Sequence, residues 1–186
     1  KQNKINITDL AYLIGPILNS GGRLGKSNYA TELLTADNYD VISQKTLVLN
    51  NLNNKRKKIE TKILDDIDFK KLQKNENNII IYYNSNINEG LIGIIAARLK
   101  DHFNKPAVVI TSSNNILKGS ARSVNNYNIG KLIKKSLDNN LVSNGGGHSM
   151  AAGFSLKKEN LLKFKKFINQ DYAKNKISIS DSFTYD

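Results

Sequence analysis

Ile79-Ile80-Ile81-Tyr82-Tyr83 is the stretch from which the fold can be read. It is a short apolar run of β-formers and reads as a buried strand. Helical and strand patterns then alternate along the chain. Leu91–Phe103 has helical spacing, with Leu91, Ile92, Ile95 and Leu99 on the buried side and Gly90 and Gly93 placed to allow close helix–sheet packing. Pro106 then leads into a second strand, Ala107–Thr111. Ile116–Ser123 reads as a third strand, Ile129–Leu137 as a helix, and Ala151–Leu156 as another strand. Glu159–Tyr172 reads as a helix with Leu161, Leu162, Phe164 and Ile168 inward. Strands alternating with helices specify an α/β class, here a mixed β-sheet domain with helices packed on its faces.

Upstream the pattern is helical. Thr8 is placed to cap a short helix through Ile14, Ser27 a second over Tyr29–Ala36, and Asp40 a long third helix. On the third, Ile42, Leu49, Leu52, Ile59, Ile63 and Ile67 recur near helical spacing. Its middle carries Lys55-Arg56-Lys57-Lys58, readable as a solvated face or as a basic stripe along a nucleic-acid track. The polar break Asn75–Asn78 sets a boundary between a helical connector, residues 1–75, and the sheet domain, residues 76–175.

Composition narrows the chemistry. The chain has 186 residues, enough for one or two domains with a real core, and a formal net charge of +12. That excess suggests a polyanionic partner, although heavy use of lysine and asparagine throughout offers coding bias as a competing explanation. There is no cysteine, hence no disulfide and no thiolate metal site. No long apolar run or signal-peptide pattern occurs, so a soluble cytoplasmic protein with no membrane partner is expected. Asp65-Asp66-Asp68, the densest carboxylate group, sits on a predicted helix and reads as a solvated face.

Three segments carry the functional signal. Gly145-Gly146-Gly147-His148-Ser149-Met150-Ala151-Ala152-Gly153-Phe154 is poor material for an ordinary element, so its three glycines imply a special backbone conformation. Such a backbone can approach a ligand closely or turn N–H groups toward an anion; a flexible turn is the alternative. His148 adds a group able to donate to a phosphate or stack on a base. In Lys118-Gly119-Ser120-Ala121-Arg122-Ser123-Val124, an extended chain would point Ser120 and Arg122 the same way, offering a hydroxyl and a planar fork to a phosphate. A polar edge strand is the plainer reading. Gly15-Pro16-Ile17-Leu18-Asn19-Ser20-Gly21-Gly22-Arg23 reads as a further Gly-rich loop ending in arginine. Only Arg23, Arg56, Arg98 and Arg122 are arginine in a lysine-rich chain. Keeping arginine in two such loops points to bidentate sites, where lysine does not substitute. Arg98 reads as structural or solvated, and Arg56 as part of the basic run.

The order GPILNSGGR, long helix, EGLIGIIAARL, KPAVVI, LKGSARS and GGGHSMAAGF resembles the bacterial RecJ exonucleases of the DHH phosphoesterase superfamily, from about Asp9 to Leu156. LKGSARS and GGGH also resemble the DHH-associated domains of oligoribonuclease and cyclic-dinucleotide phosphodiesterase relatives. The resemblance implies a single-strand-specific 5′→3′ DNA exonuclease of DNA repair and recombination, hydrolysing phosphodiesters with two Mn2+ or Mg2+ ions. It places those ions in an N-terminal Asp-His-His domain absent from this sequence, whose only histidines are His102 and His148. The expectation is therefore a C-terminal, substrate-binding portion with no catalytic residues or metal of its own, inactive alone. Residues 176–186, with Ile177–Ile179, would lead into a following OB-fold. By the same resemblance Arg122, Ser120 and Arg23 take the 5′-terminal phosphate of single-stranded DNA, with Asn19 and Ser123 as helpers. Gly145, Gly146, Gly147 and His148 hold the nucleotide near the metals. Ile17 stands where the family often has arginine, and Ile87-Asn88 where it often has Trp-His. A phosphodiesterase of short or cyclic oligonucleotides and a non-catalytic single-strand-binding module remain as alternatives.

Overall fold

Asn114 and Asn115, both with left-handed backbone (φ 46° and 65°), reverse the chain between two strands in a two-residue turn. Asparagine tolerates that region, and a turn of this hand matches the twist of the strands it joins. In the computed structural model, which describes residues 4–73 and 79–175, this hairpin is the centre of a five-stranded sheet. The strands are β1 (Ile80–Tyr83), β2 (Ala107–Ser113), β3 (Ile116–Arg122), β4 (Asn144–His148) and β5 (Ala151–Leu156), in the order β1-β2-β3-β5-β4. β1 and β2 are parallel, which requires a crossover, and the helix of residues 92–103 supplies it; all other pairs are antiparallel.

The chain divides into two compact units, Lys1–Ile67 and Asp68–Asp186. The first holds α1 (Ile7–Asp9), a π turn (Leu10–Ile14), α2 (Gly15–Arg23), α3 (Asn28–Leu34) and α4 (Tyr39–Asp65). Three sequence expectations are corrected here. Asn6, not Thr8, caps α1, through a reciprocal box in which its Oδ1 accepts from Asp9 N (2.9 Å) and Asp9 Oδ2 accepts from Asn6 N (3.0 Å). Asn38, not Asp40, caps α4, accepting from Asp40 N at 2.8 Å. The segment GPILNSGGR is a helix rather than a loop. Pro16 lies in its first turn, where proline is well suited. Gly21 is needed because a Cβ there would lie 2.4 Å from the Lys26 carbonyl oxygen, which folds back against the helix. Ser20 is fully buried and donates to the carbonyls of Ile17 (2.6 Å) and Leu49 (3.1 Å), tying α2 to α4. Within the basic run on α4, Lys55, Lys57 and Lys58 are exposed while Arg56 is buried. It bridges Asn53 (3.1 Å) and Glu60 (2.7 Å) along one face.

The second unit adds α5 (Phe69–Gln73), α6 (Ile92–Phe103), α7 (Ile129–Asp138), a 3₁₀ turn (Lys158–Asn160) and α8 (Leu161–Asn175). Val108, Ile110, Leu117, Ala121, Ala152, Phe154 and Leu156 line one sheet face and meet Ile129, Leu132 and Ile133 of α7 and Phe164 and Ile168 of α8. Ile95, Ala96 and Leu99 of α6, fully buried, cover part of the opposite face against β2 and β3. Leu162 is a further correction. It is 78% exposed, because α8 docks through Phe164 and Ile168 instead. The α/β architecture and the order of its main elements from β1 onward agree with the sequence, apart from β4, which the glycines concealed; α5 and the 3₁₀ turn were not anticipated. The break at Asn75–Asn78 and the tail Ile177–Ile179 lie outside the described residues.

Candidate nucleic-acid interface

On β3, burial alternates: Leu117, Gly119 and Ala121 face the core, Lys118, Ser120 and Arg122 the other way. The register carries this outward face across three strands. Lys118 neighbours Ser155, which neighbours Asn144; Ser120 neighbours Gly153, then Gly146; Arg122 neighbours Ala151, then His148. Successive rows two residues apart share a face. The structure thus brings Ser120, Arg122, Gly146 and His148 together on one open sheet surface. A groove of about 370 Å³ lies beside them, at the Lys118 end of the same surface, lined by Lys118, Asn144, Gly153 and Ser155 and bounded by Glu89 and Ile92; Ser120, Arg122, Gly146 and His148 are not among its lining residues.

The three glycines form a regular edge strand, which corrects the expected special backbone; none has positive φ. Their necessity is steric. A Cβ on Gly147 would lie 2.2 Å from the Ala151 carbonyl oxygen and 2.6 Å from the Ala152 Cβ. One on Gly145 would lie 2.8 Å from Ile133 Cγ2 and 2.9 Å from Phe154 Cβ. At Gly146 a Cβ would meet nothing within 4 Å, and at Gly153 only the Gly119 carbonyl at 3.9 Å. Packing therefore explains Gly145 and Gly147. Gly146 and Gly153, side by side on the open face, have no such reason, and they leave the floor bare between Ser120 and the strand edge.

Arg122 is half-buried, and desolvation lowers its guanidinium pKa from the ordinary value. Its Nη1 donates to the Ala121 carbonyl at 3.2 Å, and no carboxylate pairs with it among the described residues. The Ser120 hydroxyl likewise has no hydrogen-bond partner among them. Both lie against Gly93 of α6, where a Cβ would come within 3.2 Å of Ser120 Oγ and 3.3 Å of Arg122 Nη2. Glycine at this point lets the helix approach without displacing either group. A partly desolvated cation beside a free hydroxyl is an arrangement an anionic oxygen completes.

His148 is exposed, and its Nδ1 accepts from Met150 N at 3.3 Å. In a neutral imidazole that leaves Nε2–H as a donor toward a ligand. On the rim, Glu89 accepts from Lys118 (2.7 Å) and Ser113 (2.8 Å), and these bonds, Lys118 first, hold its carboxyl pKa below the ordinary value.

Ser123 is placed differently from the rest. It is 1% exposed, and its hydroxyl donates to the Tyr127 carbonyl at 2.5 Å while its N–H donates to Met150 O at 2.9 Å. Its N–H holds the β4–β5 hairpin and its hydroxyl holds the loop into α7, so the hydroxyl does not face the open sheet surface. Asn19 and Arg23 belong to the first unit, one helical turn apart on α2 and so on one face of it. Ile17 is half-buried on the same helix. Ile87 is buried, and Asn88 accepts from Gly90 N at 2.8 Å, so both serve the turn that opens α6. Arg98 is exposed. Asp65, Asp66 and Asp68 are exposed as expected.

Gly153, Ser155 and Asn144 were missed in the sequence. Alternation along Ala151–Leu156 carried the signal for the first two, since Ala152, Phe154 and Leu156 claim the inner face. Among the described residues no three His, Cys, Asp or Glu side chains come together as metal ligands. No helix among them is long and apolar enough to cross a membrane.

A family model described as the DHHA1 domain matches residues 76–174. Among curated proteins, the chain is 34% identical over 178 residues to the single-stranded-DNA-specific exonuclease RecJ of Haemophilus influenzae, covering 89% of this chain and 30% of that protein. With the protein of the same name from Bacillus subtilis it shares 30% identity over 168 residues, 89% of this chain and 21% of the relative. Crystal structures of RecJ from Thermus thermophilus superpose on it, in complex with Mg2+ at a TM-score of 0.76 and 26% identity, and with Mn2+ at 0.78 and 25%. Each match covers 90% of this chain, and 26% and 24% of the respective RecJ chains. The chain thus spans less than a third of these relatives' length.

Proposed function

We propose, from the premise that this chain belongs to the RecJ family and carries its DHHA1 domain, that it is the substrate-holding portion of a single-strand-specific DNA exonuclease that starts from a 5′ end. One observation carries the reading: Arg122, half-buried and without a carboxylate among the described residues, stands beside the unpartnered Ser120 hydroxyl at the margin of a bare glycine floor. That is a seat for a terminal phosphate with a flat nucleotide lying against the sheet. Arg122 would grip the 5′-phosphate through two N–H groups and Ser120 would donate a third bond. Gly146 and Gly153 admit the nucleotide, and His148 Nε2–H donates to the next phosphate along the strand. Asn19 and Arg23, on one face of α2, are proposed as phosphate-binding residues of the first unit.

The ions of the Thermus structures find no fitting ligand set among the residues described here, so no hydrolytic step is assigned to them. In this reading cleavage, and with it the role in DNA repair and recombination, belongs to the longer protein. The present chain contributes orientation, which can be worth several kcal/mol of a barrier. By itself it is expected to hold strands without cutting them.

The test is Arg122→Lys, which keeps the charge and removes the fork. Affinity for a 5′-phosphorylated oligothymidylate should fall roughly ten- to a hundred-fold, given about 1.5–3 kcal/mol for charge-assisted bonds. Affinity for the 5′-hydroxyl strand should hold. Equal losses on both strands, or none, would make Arg122 a structural residue.

A further inference from the structure

α7 turns Ile129, Leu132, Ile133 and Ser136 to the core, which leaves Lys131 and Lys134 exposed as neighbours three residues apart. Both line a groove of about 490 Å³ between α7 and β4, distinct from the one over the open sheet face. Its other wall is the main chain from Gly145 to Ser149. Among the described residues no carboxylate lines it. Three lysines of neighbouring segments are ion-paired, Lys118 with Glu89, Lys135 with Asp171 and Lys157 with Glu159. Lys131 and Lys134 make no ion pair among the described residues.

Two further features make this groove more than a basic surface. β4 is an edge strand, so one side of its main chain has no strand partner among the described residues, and three of its five residues are glycines without side chains. His148 shares a row with Arg122 on the open face and also lines this groove, so the hairpin end joins the two.

We infer that the α7–β4 groove is a second phosphate track, carrying the sugar–phosphate backbone of a single strand onward from the terminal nucleotide. Lys131 and Lys134 each neutralise one phosphate there. The ligand is polyanionic by charge complementarity, and the track rests on the reading of the open face as a nucleotide seat.

The experiment compares the full chain with its Lys131→Ala/Lys134→Ala variant, using oligothymidylates of two and twelve nucleotides, each with a 5′-phosphate or a 5′-hydroxyl end, over a salt series. Each single-strand phosphate contact contributes about 0.7 to the slope of log K against log salt, so the twelve-mer slope should drop by about 1.4 and its affinity at 0.1 M salt roughly twenty-fold. The dinucleotide should bind unchanged. Lys163→Ala/Lys166→Ala on α8, an equal loss of exposed charge, should alter neither. An unchanged slope, an equal loss on the dinucleotide, or an equal effect of the α8 pair would overturn the track. If the unaltered chain ignores the 5′-phosphate yet shows the lysine-dependent slope, the terminal seat fails and the track stands. Binding of neither oligomer would remove both.

Discussion

Alanine at Gly146 and Gly153 should strengthen the fold while weakening the ligand, whereas alanine at Gly147 should simply damage the fold. The added methyl at Gly146 meets nothing within 4 Å, and at Gly153 only a carbonyl oxygen at 3.9 Å. Neither position has positive φ. The substitution then acts mainly on the unfolded chain, reducing its freedom and stabilising by about 0.4–1 kcal/mol per site. For a chain of this size that raises the melting temperature by roughly 1–4 °C. The same methyl occupies the floor where the nucleotide is proposed to lie. A ligand forced to ride over it incurs an overpacking cost of about 1–3 kcal/mol, roughly a five- to 150-fold loss of affinity. At Gly147 the methyl would lie 2.2 Å from a backbone oxygen, so strand β4 must shift, at a similar cost of about 1–3 kcal/mol to the fold itself. Thermal melting by circular dichroism and anisotropy with a 5′-phosphorylated oligothymidylate separate the two effects. Unchanged binding in both Gly146→Ala and Gly153→Ala would refute the floor, and lowered melting temperatures would show that these glycines serve packing after all.

Ser123→Ala should destabilise by about 1–3 kcal/mol, by orphaning the Tyr127 carbonyl that its buried hydroxyl satisfies. In urea titrations that loss should appear without any change in the ratio of affinities for 5′-phosphate and 5′-hydroxyl strands; a changed ratio would return Ser123 to the phosphate. High pH probes the α7–α8 junction, where Tyr127 donates to Asp171 Oδ2 at 2.8 Å. Burial first, and then Asp171, raise its phenol pKa, so the folded chain keeps a proton that the unfolded chain releases near pH 10. Stability is therefore complete below about pH 10 and falls above it, by up to about 1.4 kcal/mol per pH unit for this group, with Tyr172 adding to the trend. Urea midpoints between pH 8 and 11.5 should decline less steeply in Tyr127→Phe, and an unaltered decline would reject this origin.

The α/β class and nearly every element of the second unit were legible in the sequence because strand and helix periodicities are local. Ile80–Tyr83, Ala107–Ser113 and Ala151–Leu156 announce themselves within their own residues. Ser120 and Arg122 were legible for the same reason, since any extended chain puts them on one face. What tertiary structure alone decided is what the glycines and the buried polar groups are for. Gly145 and Gly147 are explained by Ile133, Phe154 and Ala152, and Gly21 by the carbonyl of Lys26, none of which adjoins them in sequence. GPILNSGGR, read alone, is a loop; with Ser20 anchored to Leu49, 29 residues on, it is a helix. Arg56 looks like its lysine neighbours until Asn53 and Glu60 enclose it. Ser123 belongs to a phosphate motif by spacing, and only the chain folding back at Met150 and Tyr127 turns its hydroxyl inward. Propensity and alternation act over a few residues, so a sequence displays them. Which atoms crowd a missing Cβ, or satisfy a hydroxyl, is settled by residues brought from elsewhere in the chain.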